Sequence, residues 1–241
     1  MKAIAVIPAR LASTRLPRKM LREIAGKPLI GVVYEAVRSA SALADVIVAT
    51  DSEEILQVCR DHGWKAQTTC SAHRSGTERV HEVSNRESAD VYINVQGDEP
   101  LTRPEHIHTL LQVMQNPAAE VGTLMTPATE VDIPNPNAVK VVTDLNGRAL
   151  YFSRATIPFD RDGMRPRYFK HLGLYAYRRA FLHELATQSP APLEQLEKLE
   201  QLRVLSVGRR IVVGIVEHAA RGVDTPADYE RFVAAYRRNA A

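Results

Sequence analysis

Short apolar runs alternate with amphipathic stretches through the first half of the chain, in the order Ile4–Ile7, Leu29–Ser39, Val46–Ala49 and Glu53–His62. A short apolar run bounded by turn residues reads as a buried strand, and a longer stretch with helical periodicity reads as a helix. Strand, helix, strand, helix is βαβ order. It builds a mostly parallel sheet covered on both faces, so the pattern predicts an α/β fold with helices layered around a central sheet. Asp51 and Ser52 ahead of Glu54 and Ile55 resemble an N-cap followed by an acidic first turn. The next strand runs over Val91–Val95 and ends at Gln96-Gly97-Asp98, on the same sheet edge as the loop after the first strand. Pro104 and Glu105 then open a helix that runs to about Met114.

The middle is less regular. Prolines at 127, 134 and 136 interrupt the stretch after Thr123–Thr126, while Val139–Val142 and Ala149–Phe152 read as a hairpin around Asn146-Gly147. Further on, Gly173–Tyr177 predicts a strand, Leu193–Leu205 one helix, Val212–Val216 a last strand, and Pro226 the start of a final helix. Without repeats or an obvious linker, the 241 residues are expected to form a single domain. An element inserted at about 123–170 is expected to serve contact between subunits.

Composition narrows the class. A net charge of +3 with scattered arginines argues against nucleic acid as a partner. The chain shows no signal pattern and no apolar run approaching the length of a membrane span, so membrane insertion is not expected and a cytoplasmic location is. Cys59 and Cys70 lack metal-ligand spacing and read as reduced thiols.

The strongest chemical signal is Pro8–Lys19, where Arg10, Arg15 and Lys19 follow directly on an apolar strand. Open α/β sheets bind ligands outside the carboxyl ends of their strands. Arginine forks and a lysine point charge are the side chains best suited to phosphate oxygens. The other reading of this loop is a basic surface turn.

Gln96-Gly97-Asp98 ends a strand at that same edge, and Asp224 follows the last one. Carboxylates there suit magnesium, which takes one or two of them and completes its shell with water and substrate phosphates; either aspartate could instead cap a turn or helix. His73–Arg79 combines small hydroxyl residues, a glycine and two cations ahead of a helix, which fits contacts to a ribose or base and equally fits a capped helix start. Arg154, His171, Tyr175, Glu200 and Gln201 are polar positions scattered among apolar ones, as a sugar-acid pocket requires. Each taken alone also reads as an ordinary packed or surface residue.

Five segments then occur in order: Ala9–Lys19, Ser75–Arg79, Asn94–Pro100, Asn135–Lys140 with Ala149–Pro158, and Leu193–Leu205 with Val223–Pro226. Together they cover nearly the whole chain and resemble the 3-deoxy-manno-octulosonate cytidylyltransferases, or CMP-KDO synthetases. The resemblance implies a Rossmann-like, three-layer nucleotide-diphospho-sugar transferase fold. It implies transfer of CMP from CTP to 3-deoxy-manno-octulosonate with release of pyrophosphate, in the activation of this sugar for lipopolysaccharide.

By the same resemblance, Arg10, Arg15 and Lys19 hold the triphosphate, Ser13 contacts the nucleotide, and Asp98 and Asp224 bind Mg2+. Ala9, Arg74, Ser75 and Gly76 lie near the cytidine. Gln96, Arg154, His171, Tyr175, Glu200 and Gln201 line the sugar pocket, and the proline-rich middle serves a homodimer. Two positions depart from the pattern. Arg18 stands where the family more often has glycine, with Met20 where proline is common, so the loop is either stiffer or carries one more phosphate contact; Arg221 precedes Gly222-Val223 and either faces solvent or reaches the sugar carboxylate. The rival readings are the same chemistry on 8-amino-octulosonate or sialic acid, a metal-dependent glycosyltransferase, and an inactive nucleotide-binding regulator.

Overall fold

A computed structural model describes residues 1–219 and 222–240 of the chain, with the side chains of 239 and 240 left aside. In chain order it contains β1 (Ala3–Ala9), a 3-10 turn (Lys19–Leu21), β2 (Glu23–Ile24), β3 (Lys27–Pro28), α1 (Leu29–Arg38), β4 (Asp45–Thr50), α2 (Glu53–Asp61), β5 (Ala66–Thr68), α3 (Gly76–Arg86), β6 (Val91–Asn94) and α4 (Pro104–Val113). There follow β7 (Val121–Pro127), β8 (Lys140–Thr143), β9 (Ala149–Ser153), β10 (Phe169–Arg178), α5 (Arg179–Ala186), α6 (Pro192–Glu197), α7 (Gln201–Ser206), β11 (Ile211–Ile215) and α8 (Pro226–Ala240). The chain folds as two compact units: one holds residues 1–107 with the described residues 222–240, the other His108–Ala219.

In the first unit the strands lie in the order β6-β1-β4-β5, all parallel. β1 is paired on both edges, with Val6 opposite Ile47 on one side and Asn94 on the other. A strand in that position is buried on both faces, which is why Ala3–Ile7 reads as an unbroken apolar run. A cluster of Leu16, Ile24, Leu29, Val32, Val223 and Phe232 is packed against Tyr229, Val233 and Tyr236 of α8. It fixes two functional stretches at once, because fully buried Leu16 anchors the basic loop and Val223 precedes Asp224.

In the second unit β7 is flanked by β11, parallel, and β10, antiparallel. β8 and β9 form the hairpin expected around Asn146-Gly147, joined to β10 at Lys140 opposite Lys170. The turn is made by Asp144, whose Oδ1 accepts from the amides of Asn146 and Arg148, and by Gly147 at φ +73. The α/β class and its mostly parallel sheet are as the pattern predicts.

Several elements differ from expectation. Leu193–Leu205 is not one helix: α6 ends with Lys198 in the left-handed region at φ 54, and α7 starts afresh at Gln201. The break has a visible cause, since the Glu197 carbonyl accepts from Arg154 Nε and its carboxylate accepts from Ser153 Oγ and the Arg154 amide. The strand expected over Gly173–Tyr177 extends over Phe169–Arg178 and carries a bulge between Leu172 and Tyr175. The small β2–β3 hairpin, β5 and α5 were not foreseen.

Candidate active site

A pocket opens in the first unit at the carboxyl ends of β1 and β6. Every residue expected to hold the nucleotide lines it: Ala9, Arg10, Ser13, Arg15 and Lys19 from the loop after β1, Arg74, Ser75 and Gly76 ahead of α3, and Asp98 after β6. Gln96 and Asp224 line it as well. The structure also brings in Pro8, Ala12, Thr14, Met20, His73, Arg79 and Gly97, to which the sequence gave no individual role.

The cations and carboxylates meet at one point. Lys19 Nζ lies 2.5 Å from Asp98 Oδ2 and 3.0 Å from Asp224 Oδ1, and Arg15 Nη2 lies 2.9 Å from the same Asp224 oxygen. Two carboxylates separated by 126 residues therefore converge on a single positive charge. The pair fits a hard cation: its donors are anionic oxygens, and the lysine ammonium shows that positive charge is accommodated between them. Among the described residues no group of three or more His, Cys, Asp or Glu converges as an all-protein metal cage. A pair of carboxylates is what magnesium uses when substrate phosphates supply further ligands. Next to them, the enclosed carboxyl of half-buried Glu99 is pushed up to about 8, chiefly by burial and then by the charges of Asp98 and Asp224.

Gly97 is required by close approach rather than by a left-handed turn. A Cβ on it would lie 2.9 Å from the Pro8 carbonyl oxygen and 3.1 Å from Met20 Sδ. The glycine thus lets the strand ends bearing Ala9 and Asp98 come together.

Ser75 holds two positions at once. It is the N-cap of α3, its hydroxyl accepting from the Glu78 amide at 3.3 Å, and it lines the pocket beside Gly76. This loop is tied down by Arg79, almost fully buried, which donates to Thr69 Oγ1 at 2.6 Å and to Asp51 Oδ2 at 2.8 Å. Its place in the His73–Arg79 segment was legible, but its burial was not. Arg18 adopts φ 55, ψ 33 and pairs its guanidinium with Glu54. Arg221 lies outside the described residues.

The remaining residues expected to line the sugar pocket belong to the second unit. His171 and Tyr175 are neighbours on β10, with ring centroids 5.4 Å apart, and Phe152 meets His171 edge-on at 4.9 Å. Burial drives the His171 imidazole down to about 3, so the ring is neutral. Arg154 is a strut: its guanidinium donates to the carbonyls of Glu197 at 2.6 Å, Pro136 at 2.9 Å and Lys198 at 3.4 Å. Glu200 caps α7 and Gln201 is its first residue. Gln201 is buried, and its Nε2 has no hydrogen-bond partner among the described residues, an orphan donor of the kind a polar ligand satisfies.

Residues 4–211 match the cytidylyltransferase family. The chain is 58% identical over 231 residues to a 3-deoxy-manno-octulosonate cytidylyltransferase of Koribacter versatilis (strain Ellin345), covering 95% of this chain and 88% of that one. It is 46% identical over 244 residues to the enzyme of the same name from Geobacter sulfurreducens, covering 96% and 98%. Among solved structures, CMP:2-keto-3-deoxy-manno-octonic acid synthetase complexed with CTP superposes with a TM-score of 0.96 at 44% identity, over 99% of this chain and 100% of that one. A 4-diphosphocytidyl-2C-methyl-D-erythritol synthase from Anaerococcus prevotii, 14% identical with a TM-score of 0.65 over 98% and 99%, shares the fold.

Proposed function

Because the chain belongs to the 3-deoxy-manno-octulosonate cytidylyltransferases, we propose that it transfers CMP from CTP to the anomeric hydroxyl of 3-deoxy-manno-octulosonate and releases pyrophosphate. The observation that carries this reading is the convergence of Arg10, Arg15, Lys19, Asp98 and Asp224 with the N-terminus of α3 around one pocket.

The reaction forms a bond from the sugar oxygen to the α-phosphorus and breaks the bond from that phosphorus to the pyrophosphate oxygen. The two reactants are both anions, so the protein must hold repelling groups in line. Arg10, Arg15 and Lys19 do this by presenting charge to the phosphates, and Arg15 and Lys19 steady the charge that grows on the leaving pyrophosphate. In the free protein Lys19 and Arg15 are engaged by Asp98 and Asp224; on binding CTP they exchange carboxylate for phosphate oxygens. Asp98 and Asp224 would hold magnesium, which when bound neutralises the phosphates and lowers the pKa of the attacking hydroxyl. Asp224 would assist that deprotonation. The cytidine rests against Ala9 and the Arg74–Gly76 loop.

Within the second unit, His171, Tyr175 and Gln201, with Arg154 and Glu200, would contact the sugar acid, and the buried donor of Gln201 supports this. Exposed Val131, Leu145, Leu150, Phe159 and Met164 support a homodimer contact through the 123–170 segment. No helix among the described residues is long and apolar enough to cross a membrane. A cytoplasmic enzyme supplying activated sugar for lipopolysaccharide fits this reading.

The test is pyrophosphate release from CTP with 3-deoxy-manno-octulosonate, 8-amino-octulosonate or sialic acid, each with magnesium and with chelator. Release with the first acid, abolished by chelator, supports the reading. Release only with another acid moves the substrate, and undiminished release in chelator removes the metal.

A further inference from the structure

We infer that Thr123 is a positioning residue that fixes His171 as its Nε2–H tautomer, leaving Nδ1 as a hydrogen-bond acceptor for a hydroxyl of the sugar acid. The inference deepens the sugar-side reading given above and rests on it.

Thr123 is fully buried in β7. The bulge in β10 pairs Leu172 with Leu124 and then Tyr175 with Thr123, so Gly173 and Leu174 fall outside the regular ladder. The Thr123 hydroxyl meets the displaced main chain, with Oγ1 2.8 Å from the Leu174 carbonyl and 3.3 Å from that of Leu172. The same oxygen lies 2.9 Å from His171 Nε2.

A hydroxyl has one proton and two lone pairs, and a carbonyl only accepts. The 2.8 Å separation from Leu174 is the ordinary length of an O–H···O bond, so the threonine proton is committed there. Only a lone pair is left to face His171, and the imidazole must donate from Nε2. In a neutral ring the other nitrogen, Nδ1, is then bare.

The ring is held in this pose by the edge contact of Phe152 and by the His171 amide, which donates to the Val139 carbonyl at 2.8 Å. An acceptor nitrogen takes a hydrogen bond from a ligand hydroxyl and gives none to a carboxylate. The ligand group that faces Nδ1 is therefore a hydroxyl, and the carboxylate of the sugar acid is bound elsewhere.

The test uses the full chain labelled with 15N-histidine. A long-range proton–nitrogen spectrum separates a protonated ring nitrogen from a bare one, and loss of signals in His171→Ala assigns the residue. The wild type is expected to show Nε2 protonated and Nδ1 bare. Thr123→Val keeps the volume and removes the acceptor, and should average the two nitrogens. It should also raise the sugar KM about tenfold, as loss of one oriented hydrogen bond does, with the KM for CTP unchanged; Thr123→Ser should restore both properties. A wild-type ring protonated at Nδ1, or a Thr123→Val protein that keeps the Nε2–H tautomer, overturns the inference. An unchanged sugar KM in His171→Ala instead overturns the sugar-side reading, while the spectrum still decides the tautomer.

Discussion

Lys19 Nζ sits 2.5 Å from Asp98 Oδ2, on a side chain only 9% exposed. On the function proposed above, the triphosphate of CTP takes the place of this carboxylate as the partner of Lys19. Asp98→Asn removes one negative charge but leaves Lys19 paired with Asp224, so the fold should survive. The expected outcome is a fall in kcat of about a hundredfold to a thousandfold with an unchanged circular dichroism spectrum. Wild-type turnover in this variant would remove Asp98 from the chemistry.

Asp224 shares its Oδ1 between Lys19 and Arg15. Asp224→Asn should lower kcat by a similar factor while changing the KM for CTP by less than the loss in rate. Steady-state kinetics at saturating sugar checks this, and full activity would exclude Asp224 from both metal binding and proton removal.

Arg18 occupies left-handed backbone that costs a non-glycine residue about 1–2 kcal/mol. Its ion pair with Glu54 joins two exposed side chains and offsets little of that. Arg18→Gly should therefore leave activity within about twofold and hold or raise stability by a few tenths of a kcal/mol, after the added chain entropy of glycine. A large rise in the KM for CTP would show that Arg18 reaches the phosphates after all.

Gly97→Ala places a methyl group 2.9 Å from a main-chain oxygen that cannot swing away. The expected loss is about 1–3 kcal/mol, read by urea unfolding. An unchanged midpoint would mean that the strand ends are looser than the structure has them.

His171 gives a pH dependence of known sign. Its folded pKa of about 3 lies below the ordinary value of 6.5, so the unfolded chain takes up a proton first as pH falls. The group leaves stability unaffected above about pH 6.5 and reduces it progressively as pH drops from 6.5 towards 3. Between pH 7 and 5, His171→Gln should lose roughly 1–2 kcal/mol less than the wild type. An identical decline in both would show that the ring protonates in place.

The parts of this molecule legible in the sequence are those where one local rule decides. β1, β4 and β6 are buried on both faces and read as continuous apolar runs. The hairpin at Asn146-Gly147 and the Ser52 and Ser75 caps follow from turn and cap chemistry. The basic loop, Asp98 and Asp224 stand out in the sequence by their place after strands.

What escaped depends on partners distant in the chain. α6 and α7 part because Arg154 and Ser153 claim Glu197, more than forty residues away. β5, with three residues, and the two-residue strands β2 and β3 are too short to show a period. Arg79 reads as one of two cations ahead of a helix until its burial against Thr69 and Asp51 is seen. Gly97 reads as a turn glycine until the Pro8 carbonyl is placed against it.

The central claim is transfer of a cytidylyl group from CTP to 3-deoxy-manno-octulosonate by the pocket that holds Lys19 and Asp98. Its most direct measurement is 31P NMR of the protein with CTP, magnesium and that sugar acid. The account predicts one phosphodiester resonance of a CMP-sugar growing in equal proportion with pyrophosphate, and neither signal when the sugar is omitted. Pyrophosphate without the phosphodiester, or no change in the CTP resonances, would contradict it.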